Sequence, residues 1–348
     1  MVEILNWRLE DEDMSSTAVG IIANPAAGKD VRRLVSEATV VTAPEKVALL
    51  RRALVGIGAA GVDTVLYLRD AMHLVDRALQ GFSPARRPDF AAMPLDLPLR
   101  GSPEDTRRAA RALREAGVAA LFVLGGDGTS RLVAQEIGDL PLLALSTGTN
   151  NAFPHWAEAT AAGLAVGVAA RGLVPQALTR RKRISFERQG LPPDWGLVDA
   201  VVLRESYRGT TAVWTPDDVA EIVVTQAVPG SVGWSAVIAA QAPLSVSQAA
   251  GARALCHPDA EQRTIAAIAP GLVLEIGVTR LERLALGEPV QVGPGPLTVA
   301  LDGEPAARLA SGERAVLRVL GDGPTVIEIG PALAAAAAKG AFLLPARD

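Results

Sequence analysis

The chain is short of the residues that most often announce chemistry. Its 348 residues include one cysteine, Cys256, and three histidines. A single thiol excludes an internal disulfide, and no cysteine–histidine spacing supports a zinc framework. Aromatic residues make up 4 %, and the net charge is −4. With a pI near 5.6 there is no basic excess of the kind that general nucleic-acid binding draws on. No apolar run approaches the ~20 residues of a membrane span. The alanine-rich segment 332–338 is short and is followed by Lys339. No signal-like apolar stretch opens the chain, because residues 1–15 carry five acids. The Walker A spacing is absent, and the first strand–helix unit has no Gly-x-Gly-x-x-Gly with a downstream acid. These absences point to a cytoplasmic protein with no nucleic-acid partner and no membrane span. They disfavour a P-loop NTPase and an ordinary Rossmann dehydrogenase.

What is present is a strand–loop–helix unit around which the chain is organised. Val118–Leu124 is apolar without polar alternation, which fits a strand buried on both faces. Gly125-Gly126-Asp127-Gly128-Thr129 stops it. Thr129 and Ser130 are expected to cap a helix over Arg131–Ile137. The glycines and Asp127 then lie at the carboxyl end of a strand, where ligands bind in open α/β sheets. Glycine lets backbone approach a phosphate or adopt conformations closed to other residues, and free N–H groups at a helix start attract anions. Asp127 would repel a phosphate. It suits proton acceptance from a hydroxyl, or a Mg²⁺ bridging to phosphate. A second apolar strand, 141–145, leads into Ser146-Thr147-Gly148-Thr149-Asn150-Asn151, which places more polar groups at the same sheet edge.

Strands and helices alternate from Ala18 to Leu145. Ala18–Ala23 is a buried strand broken by Asn24-Pro25-Ala26-Ala27-Gly28-Lys29, with helical spacing over Asp30–Ala38. Lys29 either reaches a phosphate or is a solvated first-turn lysine. Thr42-Ala43-Pro44-Glu45 is a capping box, Thr64–Leu68 a strand and Asp70–Gln80 a helix. Phe90–Leu99 is expected to give an edge strand, and Ser102-Pro103 to cap and open a helix ending at Ala116. This alternation predicts an α/β N-terminal domain with a doubly wound parallel sheet. His155–Leu173 reads as a helix leading out. Arg180, Arg181, Lys182 and Arg183 form either a solvated face or a patch that draws in polyphosphate. From Ile184 to Ile329 short Val-, Ile- and Thr-rich runs between Gly and Pro predict a mostly-β C-terminal domain. Asp302-Gly303-Glu304 reads as a hairpin turn. The expected division is residues 1–153, 154–330 and a tail at 331–348.

Gly-Gly-Asp-Gly-Thr after an apolar strand resembles the signature of the superfamily joining NAD kinases, diacylglycerol kinases and sphingosine kinases. Ser146–Pro154 resembles most closely the acetoin-catabolism-associated branch of the ATP-NAD kinase family. The resemblance covers Ile21–Phe153 well and the second half weakly. It implies that the active site lies in the cleft between the two domains. The implied reaction moves the γ-phosphoryl of ATP, or of polyphosphate, to the 2′-hydroxyl of NAD, with Mg²⁺ offsetting charge. On this resemblance Asp127 is catalytic. Asn24, Gly28, Gly125, Gly126, Gly128, Thr129 and Thr149 bind nucleotide phosphate, and Asn150 and Asn151 bind substrate. Related kinases are commonly homo-oligomers, and a dimer is the expectation. Lipid kinases of the superfamily have an acid where this chain has Ala152, and the second glycine and the Asn-Glu pair of ordinary NAD kinases are missing. Two alternatives therefore remain open: a lipid or small-metabolite kinase of the same fold, and a non-catalytic NAD- or nucleotide-binding protein linked to acetoin catabolism.

Overall fold

The computed structural model describes residues 17–27, 37, 41–148, 151–204 and 215–343. Three parallel strands open the chain: β1 (Ala18–Ala23), β2 (Thr64–Tyr67) and β3 (Ala91–Pro94). Helices α1 (Ala43–Ala59), α2 (Leu74–Gln80) and α3 (Glu104–Glu115) connect them to β4 (Ala120–Gly125). Helix α4 (Asp127–Ile137), β5 (Leu142–Ser146) and α5 (Ala159–Ala170) follow. A short strand, β6 (Leu178–Arg180), completes this part.

The second half is built from antiparallel strands. They are β7 (Arg183–Arg188), β8 (Asp194–Gly196), β9 (Asp199–Leu203), β10 (Val219–Val224), β11 (Ala250–Cys256), β12 (Arg263–Ala269) and β13 (Leu272–Ala285). A short helix, α6 (Ser235–Ala239), interrupts them. Strands β14 (Val290–Val292), β15 (Leu297–Leu301), β16 (Glu304–Leu309) and β17 (Ala315–Leu320) follow. The chain then returns to the first sheet through β18 (Thr325–Ile327), and α7 (Ile329–Ala338) follows.

The first sheet has the order β3-β2-β1-β4-β5-β18-β6. Its pairings are parallel except β18 with β6. Strands β1 and β4 are neighbours although they are not consecutive, and the order runs outward from them in both directions. That is a topological switch point, where crossovers leave on opposite faces and open a crevice at the carboxyl ends. One face packs α1, α2, α5 and α7 in a single cluster that includes Leu50, Phe122, Ala162 and Ala332. The other face packs α3 and α4, and Leu197 and Val198 from the β half enter this second cluster. In the β half, the sheet β12-β13-β11-β10-β9-β15-β16 faces the sheet β14-β17-β7-β8 across Phe186, Val202, Val299 and Leu317.

Several local expectations hold and some do not. The Thr42–Glu45 capping box is present in both directions. The edge strand is β3. Helix α3 is not capped by Ser102. Its N-cap position is Pro103 in helical conformation, and the Asp105 carboxylate accepts the amides of Arg100 and Gly101 instead. Helix α4 begins earlier than capping residues suggest. Extended Gly126 precedes Asp127, and Ser130 lies inside the helix with its Oγ donating back to the Gly126 carbonyl at 3.0 Å. A serine that satisfies itself on the preceding turn does not terminate a helix. The segment 325–327, read as part of the β half, lies in the first sheet. The helical reading of 30–38 lies outside the described residues apart from Glu37.

Helices α1 and α5 cross at glycine. A Cβ on Gly163 would stand 2.1 Å from the Ala53 carbonyl oxygen, and one on Gly56 would stand 2.2 Å from that of Thr160. Backbone cannot yield as a side-chain tip can, so the crossing is fixed by absent side chains. Gly163→Val is expected to cost about 1–3 kcal/mol or more by overpacking. Gly330→Ala, with open space around its Cβ, is expected to be near neutral. Urea midpoints of the two variants check this.

Candidate functional site

Three loops meet at the carboxyl ends of β1, β4 and β5. The first follows β1. Asn24 donates its side-chain amide to Thr129 Oγ1 at 2.8 Å and accepts the Ala26 amide on Oδ1 at 2.8 Å. The Asn24 backbone N–H bonds the Leu124 carbonyl. So the sequence-predicted phosphate residues Asn24 and Thr129 touch. Beneath the loop lies Lys46, 1 % exposed. Its ammonium donates to the carbonyls of Asn24, Pro25 and Ala27 at 3.1, 2.8 and 2.5 Å. Sequence reading missed this residue. Its position just inside the capping box, on the buried face of α1 with Val47 and Leu50, is the signal that a cation there needs partners. Gly28 lies outside the described residues.

The second loop is Gly125–Thr129. Gly125, Gly126 and Gly128 are not among the glycines with positive φ, so conformational freedom does not explain them. Close approach does. A Cβ on Gly125 would stand 2.7 Å from the Thr129 side chain, on Gly126 2.8 Å from Asn151 Oδ1, and on Gly128 2.6 Å from Glu304 Oε1. Asp127 is the first residue of α4. The opening turn of a helix has N–H groups with no intrahelical acceptor, and Gly128 and Thr129 stand there. The Asp127 carboxylate accepts the amides of Ala152 at 3.1 Å and Phe153 at 2.8 Å.

The third loop follows β5. Asn151 donates to Ser146 Oγ at 2.8 Å, and its Oδ1 lies 3.4 Å from the Asp127 amide. Ser146 Oγ donates to the Gly148 carbonyl at 2.7 Å. Asn151 and Asp127 thus staple the second and third loops reciprocally. Thr149 and Asn150 lie outside the described residues.

A hairpin from the β half completes the cluster. Asp302 and Gly303 have φ of 50° and 79° between β15 and β16. Two positive φ values in a two-residue loop fit the Asp-Gly hairpin read from sequence. The Asp302 carboxylate also accepts the amides of Leu197 and Val198 at 2.8 and 2.7 Å. Full burial pushes its carboxyl up, and the Arg131 guanidinium and these amides oppose that. Arg131, buried on α4, donates to Glu304 at 2.8 Å and to the Leu301 carbonyl at 3.4 Å. Gln226 donates to the Ala152 carbonyl at 3.0 Å. Asp199 lies beside this turn, its carbonyl accepting the Asp302 amide.

The basic run is neither a solvated face nor one patch. Arg180 pairs with Asp139 at 2.5 Å, Arg181 with Glu328 at 2.8 Å and Arg183 with Asp322 at 2.9 Å. Lys182 donates to the carbonyls of Ser245, Gln248 and Ala250.

The fold on which these loops stand is that of the NAD kinases. Yeast NADH kinase, crystallised with NADH, superposes with a TM-score of 0.51 at 15 % identity, covering 95 % of this chain and 89 % of that one. An NAD kinase from Archaeoglobus fulgidus in complex with ATP gives a TM-score of 0.46 at 14 % identity, covering 81 % of this chain and 100 % of that one. Sequence narrows the class. Residues 19–172 match the ATP-NAD kinase N-terminal domain, and residues 182–322 match the acetoin catabolism protein X C-terminal domain. Acetoin catabolism protein X of Cupriavidus necator is 38 % identical over 298 residues, spanning 82 % of this chain and 83 % of that protein. The chain belongs to the acetoin catabolism protein X family. Among the described residues, no helix is long and apolar enough to cross a membrane.

Two expectations follow from this geometry. Arg131→Met removes the partner of Glu304, whose side chain is 56 % exposed. The stability loss is expected at about 1–3 kcal/mol, and a double-mutant cycle with Glu304→Gln is expected to return about 1 kcal/mol of coupling in urea melts. The second concerns Lys182. Burial, then Arg283 and Arg181, push its ammonium down to about 8 from 10.5. The unfolded chain therefore binds more protons between these values, and stability rises with pH across that window. Lys182→Met is expected to flatten the rise in denaturant midpoint between pH 8 and 10.

Proposed function

We propose that the chain is a phosphotransferase of the ATP-NAD kinase type. It moves the γ-phosphoryl of ATP to an acceptor hydroxyl, with the 2′-hydroxyl of NAD as the first candidate. The observation that carries this reading is the convergence of Asn24, Gly125–Thr129 and Asn151 at the β1/β4 switch point, beside the start of α4. The family membership and the NADH bound to the yeast enzyme give it further support. We assign nucleotide binding to residues 1–153 and the acceptor to residues 154–330, with the tail 331–348 following the return to the first sheet.

The residues fit a metal-bearing polyphosphate better than a bare one. Glu304 holds its carboxylate at Gly128, in the space a side chain would fill. A naked phosphate would be repelled there. A phosphate carrying Mg²⁺ is accommodated, because Mg²⁺ takes one or two carboxylates and draws its other ligands from phosphate and water. Glu304 and Asp127 are the carboxylates that would hold it, and its charge would offset that of the phosphates.

Phosphoryl transfer needs positioning and charge neutralisation more than covalent help. The amides of Gly128 and Thr129 face the phosphate, with Asn24 fixing their loop. Two loop amides hold Asp127 in one orientation, as a group that orients a hydroxyl requires. In the reaction the acceptor oxygen bonds the γ-phosphorus, the bridging oxygen leaves with ADP, and the hydroxyl proton is released. A second reading is a non-catalytic NAD- or nucleotide-binding protein of acetoin catabolism. It is favoured by one observation, that the Asp127 carboxylate is engaged by the Ala152 and Phe153 amides. A lipid or small-metabolite acceptor is the variant of the first reading.

Single-turnover transfer from Mg-ATP to NAD, NADH and a small lipid panel tests these readings. NADP formation that drops by about two orders of magnitude or more in Asp127→Asn, with the urea midpoint retained, is the expected result. Transfer only to a lipid keeps the mechanism and changes the acceptor. Nucleotide binding with no transfer to any acceptor overturns the kinase reading in favour of the second.

A further inference from the structure

Asp127 is held by a peptide unit that the β half also holds. The unit between Ala152 and Phe153 is one plane, with its N–H and C=O on opposite edges. The Phe153 N–H donates to Asp127 Oδ1 at 2.8 Å, and the Ala152 carbonyl accepts from Gln226 Nε2 at 3.0 Å. A carbonyl only accepts, so the nitrogen of the Gln226 amide is the atom that faces it. Amide, peptide plane and carboxylate therefore form one line of hydrogen bonds. Bonds in such a line polarise one another, so the donation from Gln226 strengthens the Phe153 N–H as a donor to Asp127. A plane held on both edges also cannot turn without losing a bond. The contact of Asn151 does not do this, because it is made to the Asp127 amide and not to the carboxylate.

The backbone that carries Gln226 is pinned on both sides. Gln226 lies half-buried just past β10. Thr225 before it is 2 % exposed, with its Oγ1 donating to the Leu197 carbonyl at 2.7 Å and its amide to the Val198 carbonyl at 2.9 Å. Ala227 after it exchanges both main-chain hydrogen bonds with Leu244, at 2.8 and 2.9 Å. Leu197 and Val198 are the residues of the β half that enter the core of the first half. A side chain on so fixed a backbone loses only its own rotamer freedom on meeting Ala152. Gln226 and Ala152 are 74 positions apart, and one lies in each half of the chain. The aim of Asp127 is thereby tied to the half to which we assign the acceptor.

We propose that Gln226 is a positioning residue for Asp127, acting through the Ala152–Phe153 peptide, and that it makes the orientation of the carboxylate depend on the seating of the β half. This rests on the phosphotransfer reading, in which Asp127 orients the acceptor hydroxyl. The role lies in the peptide plane and requires no contact between Gln226 and substrate.

Single-turnover transfer from Mg-ATP to NAD, or to the lipid of the panel that the wild-type chain phosphorylates, tests it. The variants are Gln226→Leu, Gln226→Glu, Asp127→Ala and Gln226→Leu combined with Asp127→Ala. Circular dichroism and urea midpoints give the folded fraction, to which rates are referred. Gln226→Leu is expected to slow transfer at saturation by about tenfold or more and to keep KM for Mg-ATP within about threefold, since the peptide aims the carboxylate and not the nucleotide loops. With Asp127→Ala there is no carboxylate to aim, and Gln226→Leu should add no further loss. Gln226→Glu supplies a pH signature. Its ionised carboxylate has no donor for the Ala152 carbonyl, whereas the protonated carboxyl donates as the amide does. Its rate relative to wild type at the same pH should recover as pH falls through the titration of that carboxyl, and the ratio for Gln226→Leu should stay flat.

Wild-type rates in Gln226→Leu overturn the inference and leave the phosphotransfer reading standing. So does a loss of equal size in the Asp127→Ala background, or a raised KM with the saturated rate retained. A wild-type chain that transfers to no acceptor overturns the phosphotransfer reading and this inference with it. Should Gln226→Leu fail to fold, the ratio for Gln226→Glu decides, and a flat ratio overturns the inference.

Discussion

The hydrogen bonds from the Ala152 and Phe153 amides to the Asp127 carboxylate fix the geometry at the centre of this molecule. They tie the loop after β5 to the loop after β4, beside the contact of Asn151 with the Asp127 amide. An acidic residue at the start of a helix is already favoured by the exposed N–H groups there. Here that carboxylate also reaches across to a neighbouring loop, so one side chain sets the start of α4 and the path of the next crossover. Asn24 makes the corresponding tie on the other side through Thr129. The β1/β4 crevice is therefore lined by three loops whose relative positions are set by side-chain amides and one carboxylate.

What holds the crevice against the β half is a different kind of contact. Leu197 and Val198 enter the core beneath α3 and α4. The amides of that same turn are held by Asp302, whose neighbour Glu304 meets Arg131. Apolar burial supplies the attraction and the polar contacts supply the register. The hairpin that brings Glu304 to Gly128 is thus anchored on both sides.

Much of this was legible in the sequence. The apolar runs at 18–23, 120–125 and 142–146 are buried throughout, and such runs carry their own signature. The glycine-rich loop after β4 and the Asp-Gly hairpin at 302–303 could be read because each is punctuated by residues with narrow uses. Other features could not be read. The glycines at 125, 126 and 128 look like conformational freedom, yet their neighbours are Thr129, Asn151 and Glu304. Two of those contacts come from residues more than twenty positions away. Helical spacing puts Lys46 on the buried face of α1 with Val47 and Leu50, but its partners, the carbonyls of the loop after β1, appear only in the fold. The strand at 325–327 resembles its neighbours in composition, and only pairing with β5 and β6 assigns it to the first sheet. The cations at 180–183 read as a block because they are adjacent, whereas the chain passes between sheets there and sends each to a different partner.

The remaining argument concerns charge. Asp127 and Glu304 bring two carboxylates to the start of one helix, beside amides suited to anions. In a site that binds a bare anion this would be a contradiction. The structure lessens it by giving each carboxylate its own donors, loop amides for Asp127 and the Arg131 guanidinium for Glu304. Held in this way, both carboxylates are constrained in position, and Glu304, more than half exposed, still reaches solvent. On the phosphotransfer reading proposed above, that arrangement would suit a ligand carrying both signs better than an isolated phosphate. A divalent cation on a polyphosphate is such a ligand, and its capture by preset carboxylates costs less ordering than assembling the same groups from mobile side chains.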